Sequence, residues 1–326
     1  MKVLVTGAAG FIGMHSSRTL LARGHEVTGV DNLNTYYDPA LKRARLEELR
    51  PQRGFSFHKL DIADDAAVAG LFEAQRFDCV LHLAAQAGVR YSLEHPMAYV
   101  TSNVAGFMNV LEGCRLSRVP HLVYASSSSV YGANRDLPFR EEDRVDSPIS
   151  MYAATKRANE LMATSYAHLH GMPCTGLRFF TVYGPWGRPD QALFIFTRAI
   201  LEGRPIRVFN EGRMKRDFTY IDDVVEAVLK IVERPFEQKA NRVFNIGNGA
   251  PVELMDFVRA VERALGRKAL VEMAPMQPGD VEGTFAATDR LRAEYGYTPS
   301  TPVARGVERF VEWYRAYVAR SGGIAA

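Results

Sequence analysis

The sequence of this 326-residue chain predicts an α/β fold, a Rossmann-type doubly wound parallel sheet that helices cover on both faces. Three observations predict it. Short apolar, β-branched runs alternate with helix-compatible segments through the first half of the chain. Gly7, Gly10 and Gly13 stand at three-residue intervals between the first such run and the first helix. In the second half the alternation breaks, which predicts a smaller C-terminal α/β lobe.

The elements follow in order along the chain. Runs that predict strands are VLV, EVTGVD, FSFHKLDI, DCVLHLAA, HLVYASS and CTGLRFF, and charged or amphipathic segments separate them. Two of the predicted helices are long, at about 96–117 and 150–170. RVFNIGNG predicts one further strand in the second half, among prolines that interrupt shorter elements. We expect residues 1–184 to form the main domain, joined by some later segments, and residues 185–326 to form mainly the substrate-binding lobe.

Composition and charge narrow the class of protein. With 47% hydrophobic and 24% charged residues, the chain can bury a full core. Forty basic residues, scattered along the chain, stand against 37 acidic ones, so neither a nucleic acid nor a membrane surface is an expected partner. Cys79, Cys114 and Cys174 lie in apolar surroundings, which favours reduced core thiols in a cytoplasmic protein over disulfides or a metal site. We expect no signal peptide and no membrane span, since no apolar run approaches roughly 18 residues.

The glycine turn and Asp31 together predict a dinucleotide site. Gly7, Gly10 and Gly13 let the backbone pass close to a pyrophosphate, whose charge is favourable at the N-terminus of the following helix. EVTGVD then forms a second strand that ends in Asp31, about 20 residues downstream, where a carboxylate can bind an adenosine ribose. Because that carboxylate would repel a 2′-phosphate, the sequence favours NAD over NADP.

A tyrosine, a lysine and a run of serines predict the reactive centre. Tyr152 and Lys156 stand four residues apart in a predicted helix, so both can reach one ligand. An ammonium beside the phenol, helped by a positive nicotinamide ring, favours the phenolate of a group whose ordinary pKa is about 10. HLVYASSSS ends in four serines at the carboxyl end of a strand, where a hydroxyl can polarise a reacting carbonyl or alcohol. Either motif alone is also compatible with a helix surface or a polar loop.

In this order and spacing, the glycine turn, Asp31, the serines and YxxxK resemble the extended short-chain dehydrogenase/reductase family over nearly the whole chain. The resemblance implies an NAD-dependent enzyme with Tyr152 and Lys156 in catalysis. It also makes Ser127 catalytic, four residues before the tyrosine of the VYG motif, and implies that Ser128 and Ser129 bind sugar hydroxyls.

The resemblance further implies which residues surround the cofactor. Asp61 and Ile62 of LDI would flank the adenine, and Leu83, Ala84 and Ala85 would line the ribose. The same comparison assigns to the cofactor pocket Phe11, Ile12, Asn32, Asn103 and Phe179, with Asn103 supporting the active site.

Details within the family favour one reaction. Its sugar-nucleotide dehydratases carry an acidic pair after the catalytic hydroxyl, where this chain has Ser128 and Ser129. Without that acid and base, a reaction that only moves a hydride out and back is favoured, which is epimerisation. DNLNTYYDPALKRARL, AAQAGVRYSLEHP and LRFFTVYGPWGRPDQA closely resemble stretches of the family's UDP-glucuronate 4-epimerases. The resemblance therefore implies interconversion of UDP-glucuronate and UDP-galacturonate.

Several side chains are candidates for holding the UDP-sugar. An arginine fork suits a hexose carboxylate, and Arg188 in the GRPD turn, with Thr181, is the candidate for that contact. By resemblance Arg216 would bind the pyrophosphate, while Gln277 and Asp280 would lie near the uridine ribose, although many UDP-galactose epimerases have arginine in place of Gln277. Arg90 could face either the sugar acid or the diphosphate.

Other functions remain open at this point. A UDP-glucose 4-epimerase or a UDP-glucuronate decarboxylase would use the same scaffold, and a non-catalytic NAD-sensing protein would be a different class. The intact set of Ser127, Tyr152 and Lys156 argues against the last. The resemblance also implies a homodimer formed through the two long helices.

Overall fold

The computed structural model of the protein describes residues 1–235 and 240–321. Its strands are β1 (Lys2–Thr6), β2 (Glu26–Asp31), β3 (Phe55–Lys59), β4 (Cys79–His82), β5 (Leu122–Ser127), β6 (Cys174–Phe179), β7 (Thr181–Tyr183), β8 (Ile206–Phe209), β9 (Lys215–Arg216), β10 (Phe218–Tyr220), β11 (Asn241–Ile246), β12 (Val252–Glu253) and β13 (Val271–Ala274). Its α-helices are α1 (Phe11–Ala22), α2 (Pro39–Leu49), α3 (Asp65–Ala74), α4 (Tyr91–Glu94), α5 (Pro96–Tyr99), α6 (Gly106–Leu116), α7 (Met151–His170), α8 (Ala192–Leu201), α9 (Ile221–Glu233), α10 (Leu254–Leu265), α11 (Asp289–Tyr295) and α12 (Val303–Ser321).

Seven strands form one sheet in the order β11-β6-β5-β4-β1-β2-β3, with every neighbouring pair parallel. The predicted doubly wound parallel sheet is thus confirmed. The strand order reverses between β1 and β4, and ligands of such sheets bind at the carboxyl ends of the strands beside this point. β11, from the second half of the chain, is an edge strand of the same sheet. The division of the chain near residue 184 stays a prediction.

Local signals explain where the helices begin and end. The Ser150 side chain accepts a hydrogen bond from the Ala153 N–H at the start of α7, and Gly171, with φ of 62°, ends that helix. α7 therefore begins just before Tyr152, and its first two turns carry Tyr152 and Lys156. The other predicted long helix, at about 96–117, is divided into α5 and α6. Between α5 and α6 the chain makes a π-helical segment, Val100–Ala105, which turns Asn103 inward.

The remaining strands lie outside the main sheet in short pairs. β8 pairs with β13 and β7 with β10, both in parallel, while β9 and β12 are antiparallel. α10 and α12 pack on each other beside them. Among the described residues, we find no helix long and apolar enough to cross a membrane and no cluster of three side chains suited to a metal ion. The three cysteines are buried and unpaired.

A buried ion pair joins α7 to β6 directly behind the serine strand. Arg178 Nε and Nη2 donate to the two carboxylate oxygens of Glu160 at 2.8 and 3.0 Å, and both side chains are at most 3% exposed. Ser126 Oγ donates to the same carboxylate at 2.7 Å. Burial raises the pKa of Glu160, but the hydrogen bonds and charge of Arg178 outweigh burial, so the pKa lies below its ordinary value.

We expect Glu160→Gln to lower the free energy of unfolding by roughly 3–5 kcal/mol, because it leaves Arg178 buried without a counter-ion. Urea unfolding at pH 7 measures the loss. The pKa of Glu160 is lower in the folded chain than in the unfolded chain. The stabilisation by its carboxylate is therefore present above the unfolded pKa and is lost as the pH falls through the folded pKa. The free energies of unfolding of the parent and of Glu160→Gln should accordingly become equal in acid. Glu308→Gln, at an exposed pair with Arg305, is the control and should cost at most about 1 kcal/mol. Equal losses in the two variants would contradict the expectation.

Candidate active site

The glycine turn after β1 forms a cradle that leaves no room for side chains. Gly7 has a φ of 72°, and a Cβ on it would lie 2.8 Å from the backbone nitrogen of Ala84. A Cβ on Gly13 would lie 2.1 Å from the Gly7 carbonyl oxygen. Gly10 is the N-cap of α1 and supplies no side-chain hydrogen bond to it. The first N–H groups of α1 can therefore bind an anion, as the pyrophosphate of a dinucleotide requires.

Asp31 lies at the carboxyl end of β2 beside this cradle. Its Oδ1 accepts a hydrogen bond from the Leu33 N–H at 2.8 Å and lies 4.0 Å from the ammonium of Lys42. Burial raises the pKa of Asp31, although the charge of Lys42 and the backbone hydrogen bonds act in the opposite direction. Sequence reasoning missed Lys42. The only signal was a lysine on the charged helix after the Asp31 loop.

A cavity of about 410 Å³ extends from the cradle along the ends of the strands. It is lined by nearly all the residues that the sequence and the family resemblance assigned to the cofactor: Gly7, Gly10, Phe11, Ile12, Gly13, Asp31, Asn32, Asp61, Ile62, Leu83, Ala84, Ala85, Tyr152, Lys156 and Phe179. Asn103 is the exception. Its amide lies behind the wall, where it bonds the Gln86 backbone at 2.8 and 3.0 Å and Thr155 Oγ1 at 3.1 Å. Asn103 therefore supports the cavity without lining it.

Ser127, Tyr152 and Lys156 meet at the same cavity. Ser127 ends β5, and its Oγ accepts the Ser129 N–H at 3.1 Å. Tyr152 lies in the first turn of α7 and lines the same cavity; burial raises the pKa of its phenol, and the neighbouring Ser127 acts in the opposite direction. Ser128 and Ser129 line the same wall. No carboxylate occupies these two serine positions.

Lys156 lines the same cavity as Tyr152 and is bound to β5, the strand that ends in Ser127. Its ammonium donates to the carbonyl oxygen of Ala125 at 2.9 Å, and among the described contacts none joins it to the Tyr152 hydroxyl. Burial lowers the pKa of Lys156 to about 8. Burial also raises the pKa of Tyr152, against the effects of the Ser127 hydrogen bond and the Arg188 charge. These effects together raise the pKa of Tyr152, so the phenol is protonated near pH 7, and the role of Lys156 in forming the phenolate stays a prediction.

A second cavity, of about 920 Å³, opens from the first. Tyr36, Gly88, Val89, Thr181 and Arg188 line both, so these residues mark the junction. The wider cavity is lined by the other candidate substrate residues: Arg90, Arg216, Gln277 and Asp280. The junction also borders the reactive centre, because Thr181 and Arg188 line the same cavity as Tyr152.

The two candidate arginines for a sugar carboxylate lie in different surroundings. Arg90 Nη2 is 3.2 Å from Asp280 Oδ2, and its guanidinium lies 4.5 Å from the centre of the Phe209 ring. Arg90 thus lines the wider cavity beside Asp280 and is not among the residues that line the cavity of Tyr152. Arg216 donates to the backbone carbonyl oxygens of Lys215 and Glu282 at 3.0 and 3.1 Å.

Arg188 is held by residues that sequence reasoning missed. Its Nε and Nη2 donate to the two carboxylate oxygens of Asp190 at 3.0 and 2.8 Å. The Tyr36 hydroxyl donates to Asp190 Oδ2 at 3.0 Å. Burial opposes ionisation of Asp190, but the charge of Arg188 and these hydrogen bonds lower its pKa below the ordinary value. The aspartate of GRPD was visible in the sequence, but nothing local paired it with Tyr36.

Comparison with known proteins gives consistent matches. A family model described as the NAD dependent epimerase/dehydratase family matches residues 3–247. A probable UDP-glucuronate 4-epimerase of Rhizobium meliloti is 51% identical over 330 residues, which cover 96% of this chain and 97% of the relative. UDP-glucuronate 4-epimerase 3 of Arabidopsis thaliana is 49% identical, over 97% of this chain and 77% of the relative. The crystal structure of a UDP-glucuronic acid 4-epimerase from Bacillus cereus, in complex with UDP-glucuronic acid and NAD, has a TM-score of 0.91 at 32% identity, covering 97% of this chain and 100% of that chain.

Proposed function

The chain belongs to the NAD dependent epimerase/dehydratase family, and from that premise we propose that it interconverts UDP-glucuronate and UDP-galacturonate through a transient 4-keto sugar. The observation that carries the proposal is the position of Arg188. It lies where the two cavities meet, and it lines the cavity that also contains Ser127 and Tyr152. A guanidinium there suits the carboxylate of a sugar acid whose C4 faces the reactive centre.

The residues present fit NAD as the cofactor. The cradle and the open N-terminus of α1 would take the pyrophosphate, and Asp31 would take the adenosine ribose. When bound, NAD⁺ accepts a hydride from C4 and returns it, and its positive ring favours the Tyr152 phenolate.

The chain's own side chains would direct the proton. Tyr152 would take it from the C4 hydroxyl, and Ser127, which lines the same cavity, would stabilise the oxygen at C4. Lys156, whose ammonium donates to the Ala125 carbonyl oxygen, would place a positive charge in the wall of the same cavity. Ser128 and Ser129 supply no acid for water loss, so the keto sugar would turn about its diphosphate and be reduced on its other face.

Incubating the purified protein with UDP-glucuronate alone tests the proposal. We expect UDP-galacturonate to accumulate to an equilibrium mixture, identified by NMR of the sugar C4 proton. A parallel incubation with UDP-glucose distinguishes the nearest alternative, because a UDP-glucose 4-epimerase would convert it faster. UDP-pentose as the main product would indicate a decarboxylase, and no turnover of either substrate would favour a non-catalytic NAD-binding protein.

The cofactor gives a separate prediction. We expect the protein to purify with about one NAD(H) per chain, because an epimerase must keep the hydride carrier between the two half-reactions. Denaturing the protein and assaying the released nucleotide with enzymes specific for NAD or NADP measures this. Stoichiometric NADP would contradict the role of Asp31, whose carboxylate should repel a 2′-phosphate.

We also propose that a second copy of this chain covers the outer face of α6 and α7. The two helices lie side by side, with the Tyr166 hydroxyl of α7 3.2 Å from Met108 Sδ of α6. Leu116 on α6 is 65% exposed, and Leu161 and Leu169 on α7 are 52% and 70% exposed. A face with this much exposed apolar surface fits the homodimer that the family resemblance implies.

We expect the protein to sediment as a dimer and Leu161→Glu to sediment as a monomer, because a buried charge would oppose association. The control is Leu270→Glu. Leu270 is 60% exposed just before β13 and should leave the dimer intact. A monomeric parent, or dissociation caused equally by both substitutions, would contradict this interface.

A further inference from the structure

The loop between β2 and α2 is held rigid by its own side chains. Each of four side-chain oxygens accepts the backbone N–H two residues further on: Asp31 from Leu33 at 2.8 Å, Asn32 from Asn34 at 3.0 Å, Asn34 from Tyr36 at 3.4 Å and Asp38 from Ala40 at 2.8 Å. Lys42 Nζ donates to Asn34 Oδ1 at 2.7 Å as well. These hydrogen bonds hold the loop that follows Asp31, and they therefore fix the position of Tyr36 within it.

Tyr36 lines both cavities, the one with the candidate cofactor residues and the wider one with the candidate substrate residues. Its hydroxyl lies so close to Gly88 that a Cβ there would be 2.5 Å from it, and Gly88 has a φ of 100°. The Tyr36 ring packs on the Tyr91 ring at 4.8 Å between centroids. The Tyr99 hydroxyl donates to the carbonyl oxygens of Ala87 and Gly88, which fixes the opposing backbone. The close approach at Gly88 lets the Tyr36 hydroxyl reach Asp190.

Asp190 links Tyr36 to Arg188, because its carboxylate binds both the Tyr36 hydroxyl and the Arg188 guanidinium. Asp190 accepts hydrogen bonds from Nε and from one hydrogen of Nη2 of Arg188. A sugar carboxylate would therefore bind the other edge of the guanidinium, which Nη1 and the second hydrogen of Nη2 form. The side chains of Arg188 and Asp190 are only 24% and 29% exposed. Burial and the charge of Asp190 raise the pKa of Tyr36, so its hydroxyl stays protonated and acts as a donor.

We propose that Tyr36 is a positioning residue that acts through Asp190 to orient Arg188, and so sets the preference for a sugar acid and the angle of its carboxylate. The inference rests on the proposed function. Orientation matters because a 4-keto glucuronate is a β-keto acid. When its carboxylate bond stands perpendicular to the carbonyl, the C5–C6 bond can break, the electron pair passes to the C4 carbonyl as an enolate, CO₂ leaves and C5 takes a proton. The product is a UDP-4-keto-pentose, which becomes UDP-pentose when the hydride removed from C4 returns to it. A fixed guanidinium restricts that rotation.

The test compares Tyr36→Phe and Asp190→Asn with the parent. We expect Tyr36→Phe, which removes one hydrogen bond, to lower kcat/KM for UDP-glucuronate about threefold to tenfold. The loss should lie mainly in kcat, with the Kd for UDP-glucose within about twofold of the parent. UDP-pentose should rise as a share of product, and Asp190→Asn should move both readouts further in the same direction.

Tyr295→Phe is the matched control. Its hydroxyl contacts the Arg234 carbonyl, outside both cavities, so removing it should change neither readout. If both variants kept the parent's preference for the sugar acid and its product share, the positioning role would be wrong while the proposed function stood. If the parent itself did not convert UDP-glucuronate, the proposed function would fail first.

Discussion

Tyr152→Phe is expected to lower turnover of UDP-glucuronate by roughly 10²–10⁴-fold, the contribution of a positioned acid–base group. The substitution removes the hydroxyl that shares the cavity with Ser127 but keeps the ring that packs edge-on against Tyr99. Binding of the UDP-sugar should therefore change little. Steady-state kinetics, with binding measured by calorimetry, separates the two effects.

The control for this variant is again Tyr295→Phe, which should keep parental turnover. NAD content must be measured in both proteins, so that a lost cofactor is not mistaken for a lost base. If Tyr152→Phe retained near-parental turnover with its cofactor bound, the tyrosine would be structural and its assignment as the base would be wrong.

The second large effect is expected for Arg188→Ala. Losing a charged hydrogen-bond partner of the substrate should weaken binding of UDP-glucuronate by roughly 10- to 150-fold, whereas UDP-glucose should lose much less. The share of UDP-pentose should also rise, because the carboxylate could then rotate. Titrating both nucleotide sugars and identifying the products by NMR measures these outcomes.

The Arg188→Ala substitution also removes the counter-ion of Asp190. Without Arg188 its carboxylate would be left unpaired near the sugar acid and would repel it. The double variant Arg188→Ala with Asp190→Asn removes that repulsion, so it should recover part of the binding of UDP-glucuronate but none of the control over decarboxylation. Unchanged preference for the sugar acid in both variants, with no added UDP-pentose, would show that Arg188 does not contact the carboxylate.

The sheet could be predicted because its signals are local. Parallel strands covered on both faces appear as short apolar runs, and β4 and β6 are buried along their whole length. The glycine turn, Asp31 and the spacing of Tyr152 and Lys156 are local as well. Each concerns residues that one strand end or one helix face brings together, so sequence spacing is enough to predict their proximity.

The rest depends on contacts between distant parts of the chain. Tyr36 and Asp190 are 154 residues apart, and Arg90 and Asp280 are 190 apart, so no periodicity in the sequence could pair them. The π-helical segment at Val100–Ala105 is likewise fixed by tertiary hydrogen bonds of Asn103. Lys156 bonds the Ala125 carbonyl of β5, a backbone partner that the YxxxK pattern does not indicate.

The central claim is that one hydrogen leaves C4 and the same hydrogen returns to its other face. UDP-glucuronate labelled with deuterium at C4 tests this directly, in ordinary water and without added nucleotide. The account predicts that UDP-galacturonate retains the deuterium at C4, as mass spectrometry and NMR would show. UDP-galacturonate that had lost the label and carried solvent hydrogen at C4 would contradict it.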